Sequence, residues 1–545
     1  MKHSYRPARR GRVLAPVAWL AAAPLALAAC GQAGTAETST AGGGAPRSGG
    51  TLTFGLSTDP ISINPRGAGA GNDALYVSRQ LVDSLTEQDP ATGKLIPWLA
   101  TKWEASADAK TFTFTLRDGV TFSDGTPLTA QSVKDNFDDI VKAGAKAPSS
   151  IIYFTGYKAT EVVDKLTAKV EFTTPNAAFL QASSTAALGL LGPSTLAKPV
   201  EERDTANLVG TGPFTLDHYT KNSEVVLKKR TGYAWAPADR KHQGDAYLDS
   251  VAFKIIPEAG VRTGALQSGQ IAAIGTVPPQ NVQVLRSGGY TLVVRPNPGN
   301  VFSLTPNESR PKLKDVRVRQ ALAKAINAQE VRDTVLTPDF AVATSILART
   351  TPDWTDLGGA LAYDPEAAKK LLDEAGWTPG ADGVREKGGE KLSLVTTWLS
   401  NFGPNQSALE LIQQQLTKVG VKLELQTYTV PELLQVYAKG TFDLAWGNLS
   451  RADGDVLRTN YSTAGNNYYR IDDAELEDAL LGQQATADPA KRAGHIQQAQ
   501  KLIVERAHSI PVFELTTILA LSSKAHGITL GADSRLQQLN DAWVG

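Results

Sequence analysis

The stretch from Lys391 to Tyr428 constrains the fold more than any other part of the chain. Lys391 to Thr397 reads as a strand, and a polar loop with Gly403 and Pro404 follows. The segment SALELIQQQLTKV then has helical spacing, Gly420 supplies a left-handed stop, and Val421 to Tyr428 reads as a second strand. Two strands joined through a helix cannot form a hairpin, so the unit is a parallel βαβ crossover. A further helix, Pro431 to Ala438 behind Thr429, leads through Lys439-Gly440 to a strand that ends in Trp446. Loops leaving such strands form ligand crevices in open α/β sheets.

The same mixed pattern holds elsewhere. Thr51 to Leu56 and Phe112 to Leu116 alternate as strands, and Val251 to Ile256 and Leu292 to Arg295 read likewise. Asp364 is a good N-cap, Pro365 suits the first helical position, and the helix through Ala375 stops at Gly376. In the helix after Asp315, Val316, Ala321, Leu322, Ala325 and Ile326 form an apolar face, and Arg317, Arg319 and Lys324 a solvated one. Arg117-Asp118-Gly119 and Ser123 to Pro127 read as turns, while Trp98 and Trp103 read as core.

The first fifty residues predict an extracytoplasmic protein. Lys2, Arg6, Arg9, Arg10 and Arg12 precede an apolar run from Val13 to Leu27, and Leu27-Ala28-Ala29-Cys30 closes it, the form of a lipoprotein signal over residues 1–29. The run is too short and too rich in alanine and proline to stay in roughly 30 Å of hydrocarbon as an anchor. Cys30 is the only cysteine in 545 residues, so it closes no intramolecular disulfide and suits lipidation. Residues 30–48 lack any leucine, isoleucine, valine or aromatic side chain and read as a flexible lipidated tether. The signal removes five basic residues and no acid, which leaves 50 basic against 55 acidic, a net of −5. No basic domain points to nucleic acid as a partner. About 495 residues then remain, more than one core usually organises.

Several motifs carry a resemblance over nearly the whole remaining chain. They are the segment Leu81 to Asn136, Gly210-Thr211-Gly212-Pro213-Phe214, Asp315 to Leu322, Tyr363 to Trp377 and Ile510-Pro511-Val512, in that order. Together they resemble family 5 extracellular solute-binding proteins, the oligopeptide, dipeptide and nickel receptors of ABC importers. The resemblance implies an α/β, type II periplasmic-binding-protein fold: two lobes joined by a hinge, with an extra domain inserted in lobe I. On that pattern lobe I is 49–80, 207–299 and 513–545, the inserted domain is 81–206, and lobe II is 300–512. The hinge is expected near Asn300 and Val512. Closing two lobes over a solute is a rigid-body motion about such crossings.

The loop expected after Trp446, WGNLSRADGDVLRTNYS, is the first candidate site. Trp446 offers a flat apolar surface, Asn448 a neutral hydrogen bond, Arg451 a carboxylate fork, and Asp453 or Asp455 a partner for an amine. In peptide-binding members of the family, an aspartate about three residues after the corresponding tryptophan pairs with the peptide's α-amino group. Leu449 stands there in this chain, and Asp453 and Asp455 are equally open to a turn or cap role. Trp398, at a predicted strand end, and Asp59, after the first strand, are further candidates for the cleft edge.

No nucleophile elbow, HExxH, CxxC pair or phosphate loop is present, and the five histidines after the signal lack metal-ligand spacing. The expectation is therefore no enzyme, no cofactor and no metal. The expected function is a monomeric, lipid-anchored receptor on the outer face of the cell membrane, or periplasmic, which delivers a solute to ABC permease subunits. A short peptide leads, with a nickel chelate, an oligosaccharide or another metabolite as alternatives. A secreted hydrolase and a sensory receptor remain as other classes.

Overall fold

The computed structural model describes residues 44–67, 71–205 and 208–545. The signal 1–29, Cys30 and most of the tether lie outside these residues, as do Ala206 and Asn207 at the expected end of the inserted domain. Residues 45–545 form one compact unit. Among the described residues, no helix is long and apolar enough to cross a membrane.

Three sheets organise that unit. The largest has seven strands in the order 291–296, 516–521, 273–274, 51–56, 250–255, 224–229 and 214–220. Thr51–Leu56 is central and runs parallel to Ser250–Ile255 and to Ala273–Ile274. The side chains of Leu52, Phe54 and Leu56 are all fully buried in its core. A four-stranded antiparallel sheet uses only residues 100–172. TFTFTL at Thr111–Leu116 turns Phe112, Phe114 and Leu116 inward, toward a cluster centred on Phe179. Trp98 is fully buried and Trp103 packs on this core, as expected. Gly119 and Gly125 supply the positive φ of the two predicted turns.

The third sheet has the order 422–428, 393–399, 444–450, 299–306 and 510–513. Its first two strands form the predicted parallel pair, with Ser393 opposite Lys422 and Leu399 opposite Tyr428. The joining helix is Asn405–Thr417, and Gly420 has φ +84°. Thr429 caps the next helix, Val430–Lys439, through a reciprocal bond with Glu432. Asp364 caps Pro365–Glu374 by accepting from the Ala367 amide at 2.9 Å.

Two local expectations are corrected. The strand expected to end at Trp446 runs on to Ser450, because 447–450 pair with 299–303 on the neighbouring strand. Gly-Asn-Leu-Ser reads as a turn in isolation, and tertiary pairing overrides that preference. Arg319 is buried rather than solvated, at 4% exposure. Its guanidinium donates to the carbonyls of Leu313, Lys314 and Arg506 and lies 3.3 Å from Glu308.

The chain passes between the seven- and five-stranded sheets at two adjacent links. Asn297-Pro298 joins Thr291–Pro296 to Gly299–Pro306, and Glu514-Leu515 joins Ile510–Phe513 to Thr516–Leu521. They lie side by side because the strands pair on both sides of the crossing. The Asn297 amide donates to the Leu515 carbonyl at 2.7 Å, and its side chain accepts from Thr517 at 2.9 Å.

Candidate ligand-binding site

The carboxyl ends of the parallel strands in both large sheets face a common cleft. A cavity of about 800 Å3 opens there, bounded by Arg262, Thr276 and Pro278 on one side and Phe402, Pro404 and Glu410 on the other. Phe402 stacks on Phe302 with centroids 5.5 Å apart. Phe302 in turn lines a second cavity, of about 230 Å3, built wholly from residues 300–469.

The smaller cavity rests on three strands. Trp446 is 2% exposed, stacks on Phe302 at 5.5 Å, and donates from Nε1 to Asn405 Oδ1 at 3.0 Å. Asn405 also donates to the Leu399 carbonyl at 3.0 Å, so the indole is held by the turn that starts the crossover helix. The strand register brings Asn300 opposite Leu449, beside Asn448. Asn300 is 5% exposed, and its Oδ1 has no hydrogen-bond partner among the described residues. The walls are tyrosines. Tyr437 lies 5.2 Å from Tyr468, and Tyr461 lies 5.8 Å from Tyr469. Burial pushes the Tyr437 and Tyr461 hydroxyls up to about 12, so both stay protonated and can donate and accept. Among the described residues, no aspartate, glutamate, lysine, arginine or histidine lines this cavity.

Of the residues picked out from sequence, Trp446 and Asn448 line the smaller cavity. Trp398 is 7% exposed, packs into the adjoining core with Nε1 unpartnered, and lines neither cavity. Arg451 donates to Thr459 Oγ1 at 2.8 Å, and its guanidinium lies 5.6 Å from the ring centre of Tyr153, beside the four-stranded sheet. Asp453 is 4% exposed and takes a bidentate pair from Arg492, at 2.5 and 2.9 Å. Asp455 accepts from Arg458 at 2.7 and 2.9 Å and from Gln483 at 2.6 Å. Burial pushes its carboxyl up, but the Arg458 charge and hydrogen bonds outweigh this and hold it below the usual range. Asp59 stands on the seven-stranded side, where it accepts from Tyr219 and from the Asn222 and Ile61 amides. Burial again opposes these bonds, which win and lower its carboxyl.

Asn300, Phe302, Tyr437, Tyr468 and Tyr469 were not picked out from sequence. The run Asn466-Asn467-Tyr468-Tyr469, amides and aromatics outside any regular element, was the available signal. His508 is buried between Glu308 and Asp473, and Asp473 caps Ala474–Gln484, so these groups are structural. Among the described residues, no cluster of three or more His, Cys, Asp or Glu is placed to hold a metal ion.

Two α/β bodies linked by paired crossings, with a cleft at the carboxyl ends of their parallel strands, define a clamshell solute-binding protein. Residues 94–469 match the family described as bacterial extracellular solute-binding proteins, family 5. The chain belongs to that family, the solute-binding components of ABC importers. It is 28% identical over 516 residues to the dipeptide-binding protein of Escherichia coli K12, spanning 88% of this chain and 91% of that one. It is 28% identical over 390 residues to the nickel-binding periplasmic protein of the same organism, spanning 67% and 69%. The crystal structure of NikA from Brucella suis with Fe(III)-EDTA superposes with a TM-score of 0.79 at 23% identity, covering 91% of this chain and all of that one. The fold is that of the periplasmic binding proteins, and the relatives are binding proteins rather than enzymes.

Proposed function

We propose that this chain is a lipid-anchored monomeric receptor that closes two lobes over a small solute and presents it to permease subunits. Lobe I is 49–80, 207–299 and 513–545, lobe II is 300–512, and 81–206 form the inserted domain. The observation that carries the reading is the cleft itself, which lies between the seven- and five-stranded sheets beside both chain crossings. Trp446 and Asn448 meet the solute from the smaller cavity, whereas Asp59 and Trp398, also candidates from sequence, line neither of the two cavities. Arg451, Asp453 and Asp455 line neither cavity and are held in ion pairs that brace the segment after the floor strand. The relatives named for dipeptides make a short peptide the first class of solute to test. Cys30 is the acylation site that holds the receptor at the outer face of the membrane.

Native mass spectrometry of the intact chain, released from membranes in mild detergent, tests both parts. The expected result is a diacyl mass on Cys30, lost with Cys30→Ser, and a noncovalent adduct of solute size. Turnover of a candidate solute would overturn the receptor reading.

A further inference from the structure

The charge of the solute is written in the smaller cavity. Its polar lining includes Asn300, Asn401, Asn448 and Asn460 with tyrosines and Ser303, while Asn405 and Thr305, which also line it, are already bonded to Trp446, Leu399 and Asn401 and to Ser509. An α-amino group or a carboxylate buried against such a wall would lose its hydration without gaining a counter-charge. The acids and bases that follow the floor strand are already used. Asp453 is satisfied by Arg492, Asp455 by Arg458 and Gln483, and Arg451 by Thr459 and the Tyr153 ring. Removing any of them to meet a ligand ion would strand its present partner in the interior.

Neutral hydrogen bonding is different. Asn300 presents a buried Oδ1 with nothing to accept, an acceptor that calls for a donor from the cavity. Asparagine amides and protonated tyrosines can each both donate and accept, which matches vicinal hydroxyls. The half-buried Tyr437, Tyr468 and Tyr469 rings offer flat faces for the C–H surface of a saturated ring, and the Phe302 and Trp446 rings, each 2% exposed and stacked on one another, close the floor beneath. A volume of about 230 Å3 falls below the roughly 300 Å3 at which drug-sized sites begin, and so suits a single ring of a larger solute.

We infer that this cavity is a subsite for an uncharged, polyhydroxylated ring, as in a neutral oligosaccharide, and that it rejects the charged termini of a free dipeptide. The inference rests on the receptor reading above and specifies the solute for that same cleft. Titration calorimetry of the intact chain with cellobiose, xylobiose, maltose and N,N′-diacetylchitobiose, and separately with Gly-Leu and Ala-Ala, tests it. At least one disaccharide should bind, with an affinity that changes little from low to high salt and that exceeds the affinity for either dipeptide. Asn300→Leu should weaken the disaccharide by about tenfold, the worth of one buried hydrogen bond. Asn448→Ala, at a half-buried position, should weaken it similarly even if the Asn300 variant fails to fold. Saturable binding of either dipeptide with silence from every disaccharide would overturn the neutral assignment and leave the receptor standing. Silence from both classes would overturn the assignment too, and a chain that also carries no copurified solute would fail as a receptor.

Discussion

Asp453 separates a ligand contact from a structural ion pair, and its removal has a calculable effect. Both carboxylate oxygens take hydrogen bonds from Arg492, at 2.9 and 2.5 Å, and Oδ1 also accepts from the Asp455 amide at 2.7 Å. The side chains are 6% and 15% exposed, so the Coulomb energy is little screened. Removing one partner of such a pair costs about 3–5 kcal/mol, most of it from the stranded charge. Arg492 would keep Gln483, which accepts through its side chain at 3.0 Å and its backbone at 3.3 Å. The cost of Asp453→Ala should therefore fall near the lower end, about 3 kcal/mol. Because residues 45–545 form one compact unit, larger than the roughly 150–250-residue domains that shift by about 2–4 °C per kcal/mol, the melting temperature should fall by less than about 6–12 °C. Asp453→Leu with Arg492→Met removes both charges and should recover most of the loss. The assay is scanning calorimetry of the parent, each single variant and the double variant, paired with titration of any solute that binds the parent. Both single variants should destabilise while affinity changes by less than about twofold. A chain with Asp453→Asn that melts with the parent but loses its solute would refute the reasoning, because the carboxylate would then serve the ligand.

Two further outcomes follow from buried charges. In Asp473, burial raises the carboxyl, but bonds from Arg506, the Leu476 amide and His508 outweigh it and lower the value to about 2 from 3.8. A depressed carboxylate contributes stability that is present above about pH 4 and is lost as pH falls toward 2. The urea midpoint of the parent should fall across that window, and Asp473→Asn should lack that part of the fall. Arg319 fixes three carbonyls and Glu308 at once, so Arg319→Ala should lower stability by about 3–5 kcal/mol. Arg319→Lys should not restore it, because an ammonium cannot reproduce the fork. Equal urea midpoints for Arg319→Lys and the parent would contradict this.

What the sequence made legible was whatever local chemistry decides. The crossover from Ser393 to Tyr428 could be read because strand alternation, helix spacing and the Gly420 stop agree over a short span. The caps at Asp364 and Thr429 were legible for the same reason, since each is satisfied within three residues. Arg319 was misread because its partners lie as far away as Arg506, and nothing in DVRVRQAL distinguishes a guanidinium that meets water from one that meets carbonyls. The site divides along the same line. Trp446 could be proposed from its place near a strand end, and the loop chosen with it does include Asn460 and Tyr461. Asn300 could not, because its position depends on an antiparallel register with Leu449 across 149 residues of chain. The fate of Asp453 and Asp455 depends on Arg492, Arg458 and Gln483, two of them on later helices. Sequence could list the acids near the cleft, but only the fold shows which have already been neutralised. Asp453 and Asp455, the acids a sequence reading offers to an amine, are spent on Arg492 and on Arg458 and Gln483, whereas Arg262 and Glu410, which bound the larger cavity, form no ion pair among the described residues and stay open to a solute.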